Sequence, residues 1–334
     1  MTDLEGGPRQ IIIDTDPGVD DMVAIFLALR SPEVQVMALT AVAGNVPLEL
    51  TLPNALRALE IAGRTDIPVA AGANRPLKRH LVTAPSVHGT NGLSDVEFPA
   101  PKTRPVAESA PQLIRRMVAA APGRVSIVAI GPLTNVALAL RADPQLASQI
   151  RDITIMGGSL SGGNITPAAE FNSYVDPEAA RIVYDSGTPI TMVGLDVTRR
   201  AVLNEDRISA LEASGDAPAR AAARVMRATL HRVGLTGANG GRLLVHDAIA
   251  IAALIDPAIL TTHELRVEVE TEGRLTAGET VGYRRAPMRH SAPLLEAPPS
   301  YELGAFRANA KVAQDIDSER FLNLLIYRLT GSGA

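Results

Sequence analysis

Short apolar runs alternate along this chain with longer stretches of helical spacing, and turns rich in Gly, Pro, Asn or Asp separate them. Ile11-Ile12-Ile13 runs into Asp14, a Pro17-Gly18 turn follows, and an apolar run over 22–29 lies behind it, predicting strand, turn and helix. The helix is expected to begin near Asp20, where carboxylates suit the unpaired N–H groups and the positive end of the dipole, and to stop before Pro32. Residues 34–42 read as a second buried strand ending in Ala43-Gly44-Asn45. A helix over 48–62 follows, introduced by Pro47 and closed by Gly63, and then a short strand over 67–71. This βαβαβ order opens a doubly wound sheet, in which ligands bind beyond the carboxyl ends of the strands.

Residues 74–104 break the rhythm with many Pro and Gly, and a connection of that length in a compact fold is more often functional than idle. The alternation resumes with a helix over 106–121, a strand over 125–130, a helix from near Leu133 and a strand over 150–156. A second Gly-rich loop, 157–172, carries Asn164, Glu170 and Asn172; a helix over 177–185 and a strand over 190–193 follow. Residues 198–233 look helical, 234–241 is a Gly-rich interruption, and 244–255 is an apolar helix with His246-Asp247 at its start. Late strands over 265–270 and 279–283, an antiparallel pair, and a closing helix over 321–329 complete the pattern. No repeat or linker divides the chain, so the expectation is one α/β domain over 1–334, an open, mostly parallel doubly wound sheet flanked by helices.

Composition narrows the function. With Trp and Cys absent and 46% of residues hydrophobic, the core is built from Ala, Val, Ile and Leu, and no thiolate zinc site is available. A net charge of −4 gives no basic field for nucleic acid. The first ten residues are polar and acidic and no run reaches membrane-spanning length, so the expectation is a cytoplasmic protein with no membrane partner. Against that background the first turn stands out: Asp14, Asp16, Asp20 and Asp21 sit at the end of a buried strand and would repel one another strongly unless they shared a cation. The competing reading, a solvated acidic loop, fits poorly with apolar segments on both sides. Oxygen ligands favour a hard ion such as calcium or magnesium. An EF-hand is excluded because, counting from Asp14, the sixth position is Val19 and the twelfth Ile25. The site must therefore draw on several loops.

Polar residues recur at the carboxyl ends of several predicted strands: the Asp cluster, Asn45, the Ile130-Gly131 turn, and the loop of Asn164, Glu170 and Asn172. In a parallel sheet these ends share one edge and converge on one cleft. Asp14-Thr15-Asp16-Pro17-Gly18-Val19-Asp20-Asp21 resembles the N-terminal signature of the calcium-dependent, inosine-uridine preferring nucleoside hydrolases. The resemblance continues in order through Gly44-Asn45, His88-Gly89, Gly131-Pro132-Leu133-Thr134-Asn135, Met156-Gly157-Gly158, Ala169-Glu170-Phe171-Asn172, Gly194-Leu195-Asp196-Val197-Thr198 and Val245-His246-Asp247.

That resemblance implies a set of roles. Asp16, Asp21, Asp247 and the backbone carbonyl of Ile130 would hold Ca2+, with Asp14 supporting them from behind. Asp20, Asn45, Asn164, Glu170 and Asn172 would fix the ribose, with Met156 near the sugar and His88 near the base. Asp16 would act as general base and His246 as the acid that neutralises the departing base, giving hydrolysis of a small-molecule ribonucleoside with inversion. The family also implies a homo-oligomer, a tetramer or a dimer. One departure concerns the Gly-rich stretch before His246, which lacks the aromatic residue often found there and leaves the base preference open. That stretch and 74–92 are expected to act as lids. Two rival readings are weaker: a haloacid-dehalogenase-like phosphatase would need a different first motif and a late acidic pair, and a nucleoside-binding protein without turnover would have little need of Asp16 and His246.

Overall fold

The computed structural model describes residues 7–234, 242–283 and 307–331; the predicted Gly-rich lid 234–241 lies outside them except for Gly234. Eleven strands are assigned among the described residues: β1 (Arg9–Thr15), β2 (Val34–Ala41), β3 (Val69–Ala71), β4 (Val125–Ala129), β5 (Ile153–Met156), β6 (Ile190–Val193), β7 (Val202–Leu203), β8 (Leu243–Leu244), β9 (Leu260–Val269), β10 (Thr280–Tyr283) and β11 (Ala310–Ile316). Nine of them form a single sheet in the order β10-β9-β11-β6-β5-β4-β1-β2-β3. From β3 to β11 all neighbours are parallel; β9 runs antiparallel to β11, and β10 antiparallel to β9. The antiparallel β9–β10 pair matches expectation, whereas β11, inserted between β9 and β6, was not predicted.

β1 lies between β2 and β4, so the chain winds outward from it in both directions. Strand order reverses there, and the crevice beyond the carboxyl ends of β1 and β4 is where this architecture places a ligand. Alternation along β1 divides the core: Ile11 and Ile13 belong to the apolar layer on one face of the sheet, Ile12 to the layer on the other. Each isoleucine, fully buried, contributes roughly 1.5–3 kcal/mol of apolar burial.

Two helices matter most for the site. Val19–Leu29 and His246–Ile255 are apolar nearly all round, and they pack against each other under the sheet. Asp20 and Asp21 stand in the first turn of one, and Asp247 in the first turn of the other. Packing two buried helices thus delivers three carboxylates to one end, where the helix dipoles favour negative charge.

The span 198–233 departs from the predicted continuous helix. It holds β7 and two helices, Glu205–Ala213 and Ala217–Arg232, the second capped by the Asp216 side chain. β7 pairs antiparallel with β8, tying the chain after Thr198 to the chain before His246. Among the described residues no helix is long and apolar enough to cross a membrane.

Candidate active site

Asp14, still within β1, is fully buried; its Oδ1 accepts from Thr40 Oγ1 (2.5 Å) and Asn135 Nδ2 (2.8 Å), and its Oδ2 has no partner. Burial pushes its carboxyl up to about 7, against the opposing pull of those two donors. Asp16 is also fully buried. Its Oδ2 accepts from the Asn45 backbone N–H (2.6 Å) and its Oδ1 is unpartnered. Gly44 and Gly131 close around it, and a Cβ on either would run into the carboxylate, so only glycine lets the two loops approach.

Asp21 is held by Thr15 Oγ1 (2.6 Å), the Gly18 N–H (2.9 Å) and Asn45 Nδ2 (3.1 Å). Burial, and then the Asp20 charge, raise it to about 6. Asp16 is pushed well above the usual carboxylate range, first by burial and then by Asp21; Asp247 is pushed likewise by burial and then by Asp20 and Asp21. Asp20, half-buried, is raised by desolvation and pulled back by His246.

Several buried carboxylates that raise one another, with two oxygens lacking any partner, form a site that a cation would complete. Asp20, Asp21 and Asp247 each bring an oxygen within 4.8 Å of the others, a spacing at which they can hold a metal ion. Asp16 is not in that compact set, although its field reaches Asp247 and Asp21 reaches it. The Ile130 carbonyl accepts from Asn172 Nδ2 at 3.1 Å. The donor set is all oxygen and fits a hard divalent ion.

In front of this cluster lies a cavity of about 370 Å³. Asp20, Asn45, His88, Met156, Asn164, Glu170 and Asn172, all predicted to touch substrate, line it together with Ile130, His246 and Asp247. Asp14, Asp16 and Asp21 do not; the last two are linked to the lining through Asn45. Glu170 is also the N-cap of the helix Phe171–Val175, and its carboxylate accepts from the N–H groups of Asn172, Gly158 and Ser173. Asn164 Oδ1 accepts from the Phe171 N–H at 2.9 Å. Their capping and cavity-lining positions coincide.

His88 Nδ1 accepts from the Val19 N–H at 3.2 Å, which leaves the ring proton on Nε2. Burial pushes this imidazole down to about 4. The far end of the expected lid, 74–92, is tied down: Asn54 Nδ2 donates to the Asn91 carbonyl as well as to the Pro17 carbonyl, and just beyond the lid Ser94 bonds Thr229 across 2.6 Å. His246 Nδ1 lies 2.7 Å from Thr198 Oγ1. Sequence reasoning gave no role to Thr15, Thr40, Asn135 or Thr198. Thr40 meets Asp14 because the β1–β2 register sets the two directly opposite each other.

Residues 11–323 match the family model of the inosine-uridine preferring nucleoside hydrolases. The chain belongs to that family. A pyrimidine-specific ribonucleoside hydrolase, RihA, of Salmonella gallinarum is 44% identical over 322 residues, covering 96% of this chain and 97% of that one. The protein of the same name from Photobacterium profundum is 43% identical over 323 residues, covering 96% and 98%. Among solved structures, a plant nucleoside hydrolase superposes with a TM-score of 0.89 at 34% identity, over 97% of this chain and all (100%) of the other. A purine-preferring ribonucleoside hydrolase from Gardnerella vaginalis gives 0.85 at 31% identity, over 97% and 98%. This nucleoside hydrolase cleaves ribonucleosides to ribose and free base.

Proposed function

We propose that this nucleoside hydrolase acts on pyrimidine ribonucleosides at a calcium site built from the Asp cluster. The single observation that carries the site assignment is the buried, mutually repelling set of carboxylates, two oxygens of which have no partner, at the base of a cavity lined by Asn45, Asn164, Glu170 and Asn172. Asp21, Asp247 and, on the family resemblance, Asp16 and the Ile130 carbonyl would hold the ion, with Asp20 of the compact carboxylate set beside it and Asp14 bracing the loop from β1. When bound, calcium supplies positive charge that lowers the pKa of a neighbouring water and anchors vicinal hydroxyls.

The chain's own groups do the rest. Asp16 takes the proton of the attacking water through its unpartnered oxygen; the bond from water oxygen to the anomeric carbon forms as the bond from that carbon to the base nitrogen breaks. Asp20 and its neighbours stabilise the positive charge that develops on the sugar. Asn45, Asn164, Glu170 and Asn172 fix the hydroxyls, with Met156 beneath the sugar. His246 gives a proton to the departing base, and His88, held neutral, offers its Nε2–H to the base. Attack opposite the leaving base inverts the anomeric centre.

The pyrimidine preference rests on the curated relatives, 43–44% identical along nearly the whole chain and named pyrimidine-specific, whereas the purine-preferring enzyme from Gardnerella vaginalis is 31% identical. Ribose release from uridine, cytidine, inosine and adenosine tests it. Uridine or cytidine should exceed both purines in kcat/KM by about tenfold or more, roughly what a base pocket can discriminate without a lost hydrogen bond. Equal rates, or a purine ahead, would overturn the preference.

A further inference from the structure

Thr198 is fully buried in the single helical turn Leu195–Thr198, outside the set of residues that line the cavity. A threonine hydroxyl in a helix commonly turns back onto the carbonyl four residues earlier. Here the Thr198 backbone N–H donates to the Gly194 carbonyl, while the hydroxyl lies 2.7 Å from His246 Nδ1. No second partner of that hydroxyl is present among the described residues. The hydroxyl is therefore committed to the imidazole.

Its position is fixed on both sides. The β-branched side chain restricts χ1. Within the same turn, Asp196 accepts from the Leu160 N–H (2.8 Å) and from Ser161 Oγ (2.6 Å), and the Arg199 guanidinium next to it donates to the Gly163 carbonyl. Those contacts tie the turn to the loop that carries Asn164 and Glu170. On the other side, the β7–β8 ribbon pairs Val202 with Leu244, which holds the strand after Thr198 against the strand that leads into His246. The turn thus couples the sugar-binding loop and the histidine through rigid short links.

We propose that Thr198 is a positioning residue for nucleobase departure: its hydroxyl holds the His246 ring so that Nε2 faces the cavity where the base leaves. A hydroxyl can donate to Nδ1 or accept from it, so the ring keeps its orientation whichever nitrogen carries the proton. This inference rests on the reading of His246 as the leaving-group acid. Without the bond, the ring could rotate about its side chain, and a displacement of about 1 Å at a proton-transfer distance is enough to lose most of the acid's contribution.

The test compares two substrates. Uridine needs its base protonated; p-nitrophenyl β-ribofuranoside does not, because nitrophenolate leaves as the anion. Thr198→Val keeps shape and removes the hydroxyl. It should lower the ratio of kcat for uridine to kcat for the nitrophenyl riboside by about tenfold or more, a fraction of the 10²–10⁴ that general acid catalysis contributes. Thr198→Ser should restore the ratio, and the calcium concentration giving half-maximal rate should not move in either variant. Thr198→Ala reads the same ratio should the valine variant fail to fold. Equal loss on both substrates, or a shifted calcium requirement, would assign Thr198 a structural role and overturn the proposal. His246→Ala separates the two ideas: if it lowers the ratio while Thr198→Val and Thr198→Ala do not, the positioning proposal alone fails. An unchanged ratio in His246→Ala removes the acid itself.

Discussion

Asp16→Asn should lower uridine turnover by about a thousandfold or more, in the range a general base contributes, yet the metal-free variant should melt at a higher temperature than the parent. The two effects have one origin. Asp16 is fully buried with Oδ1 unpartnered, and burial, Asp21 and Asp20 all oppose its charge. Asparagine has nearly the same shape and its amide oxygen can keep the Asn45 N–H, so the geometry survives while the charge and the base are lost. Relieving a buried like-charge contact should stabilise the metal-free fold by about 1–3 kcal/mol. Steady-state kinetics and thermal melts in chelator read both halves. Activity within tenfold of the parent would remove Asp16 as base, and a lower melting temperature would show that the cluster is not under the repulsion inferred here.

Calcium should change the sign of the protein's response to pH. For a carboxyl whose pKa is raised by folding, the folded state binds more protons than the unfolded one between the two values, so stability falls as pH rises through that window. Asp21 moves from 3.8 to about 6 and Asp14 from 3.8 to about 7, and Asp16 and Asp247 extend the window in the same direction. In chelator the protein should therefore lose stability steadily from about pH 4 to about pH 7 through these groups. Calcium binds the charged form and displaces the retained protons, so its stabilisation should be small at pH 5 and large at pH 8. At a hundred times the dissociation constant the gain is about 2.7 kcal/mol. A chelated protein that becomes more stable over this range, or a calcium effect independent of pH, would refute the assignment of the cluster as the ion's site.

How far the sequence could be read depended on whether the signal was local. The Ile11–Ile13 run with its carboxylates and Pro17-Gly18 turn carries strand, turn and helix within a few residues, and all three are present. The loop residues Asn45, Asn164, Glu170 and Asn172 were legible as one cleft because a parallel sheet brings the carboxyl ends of its strands together. β11 was not legible: Lys311, Gln314 and Asp315 interrupt its apolar positions, and it is a strand only because it finds β6 and β9 far away in the chain. The division of 198–233 was available in Ser214-Gly215-Asp216, a stop followed by a cap, but β7 is two residues long and leaves no pattern. His246 reaches the cleft by the packing of its helix on Val19–Leu29, and its bond to Thr198 by the β7–β8 pairing. Such contacts have no local sequence signature.

The most direct measurement is ribose release from uridine by a reducing-sugar assay, run in chelator and again after calcium is restored. Release that vanishes in chelator and returns with calcium is the predicted result. Release at full rate in chelator would contradict the account, because the buried carboxylates would then be catalysing without the ion that their repulsion and unpartnered oxygens call for.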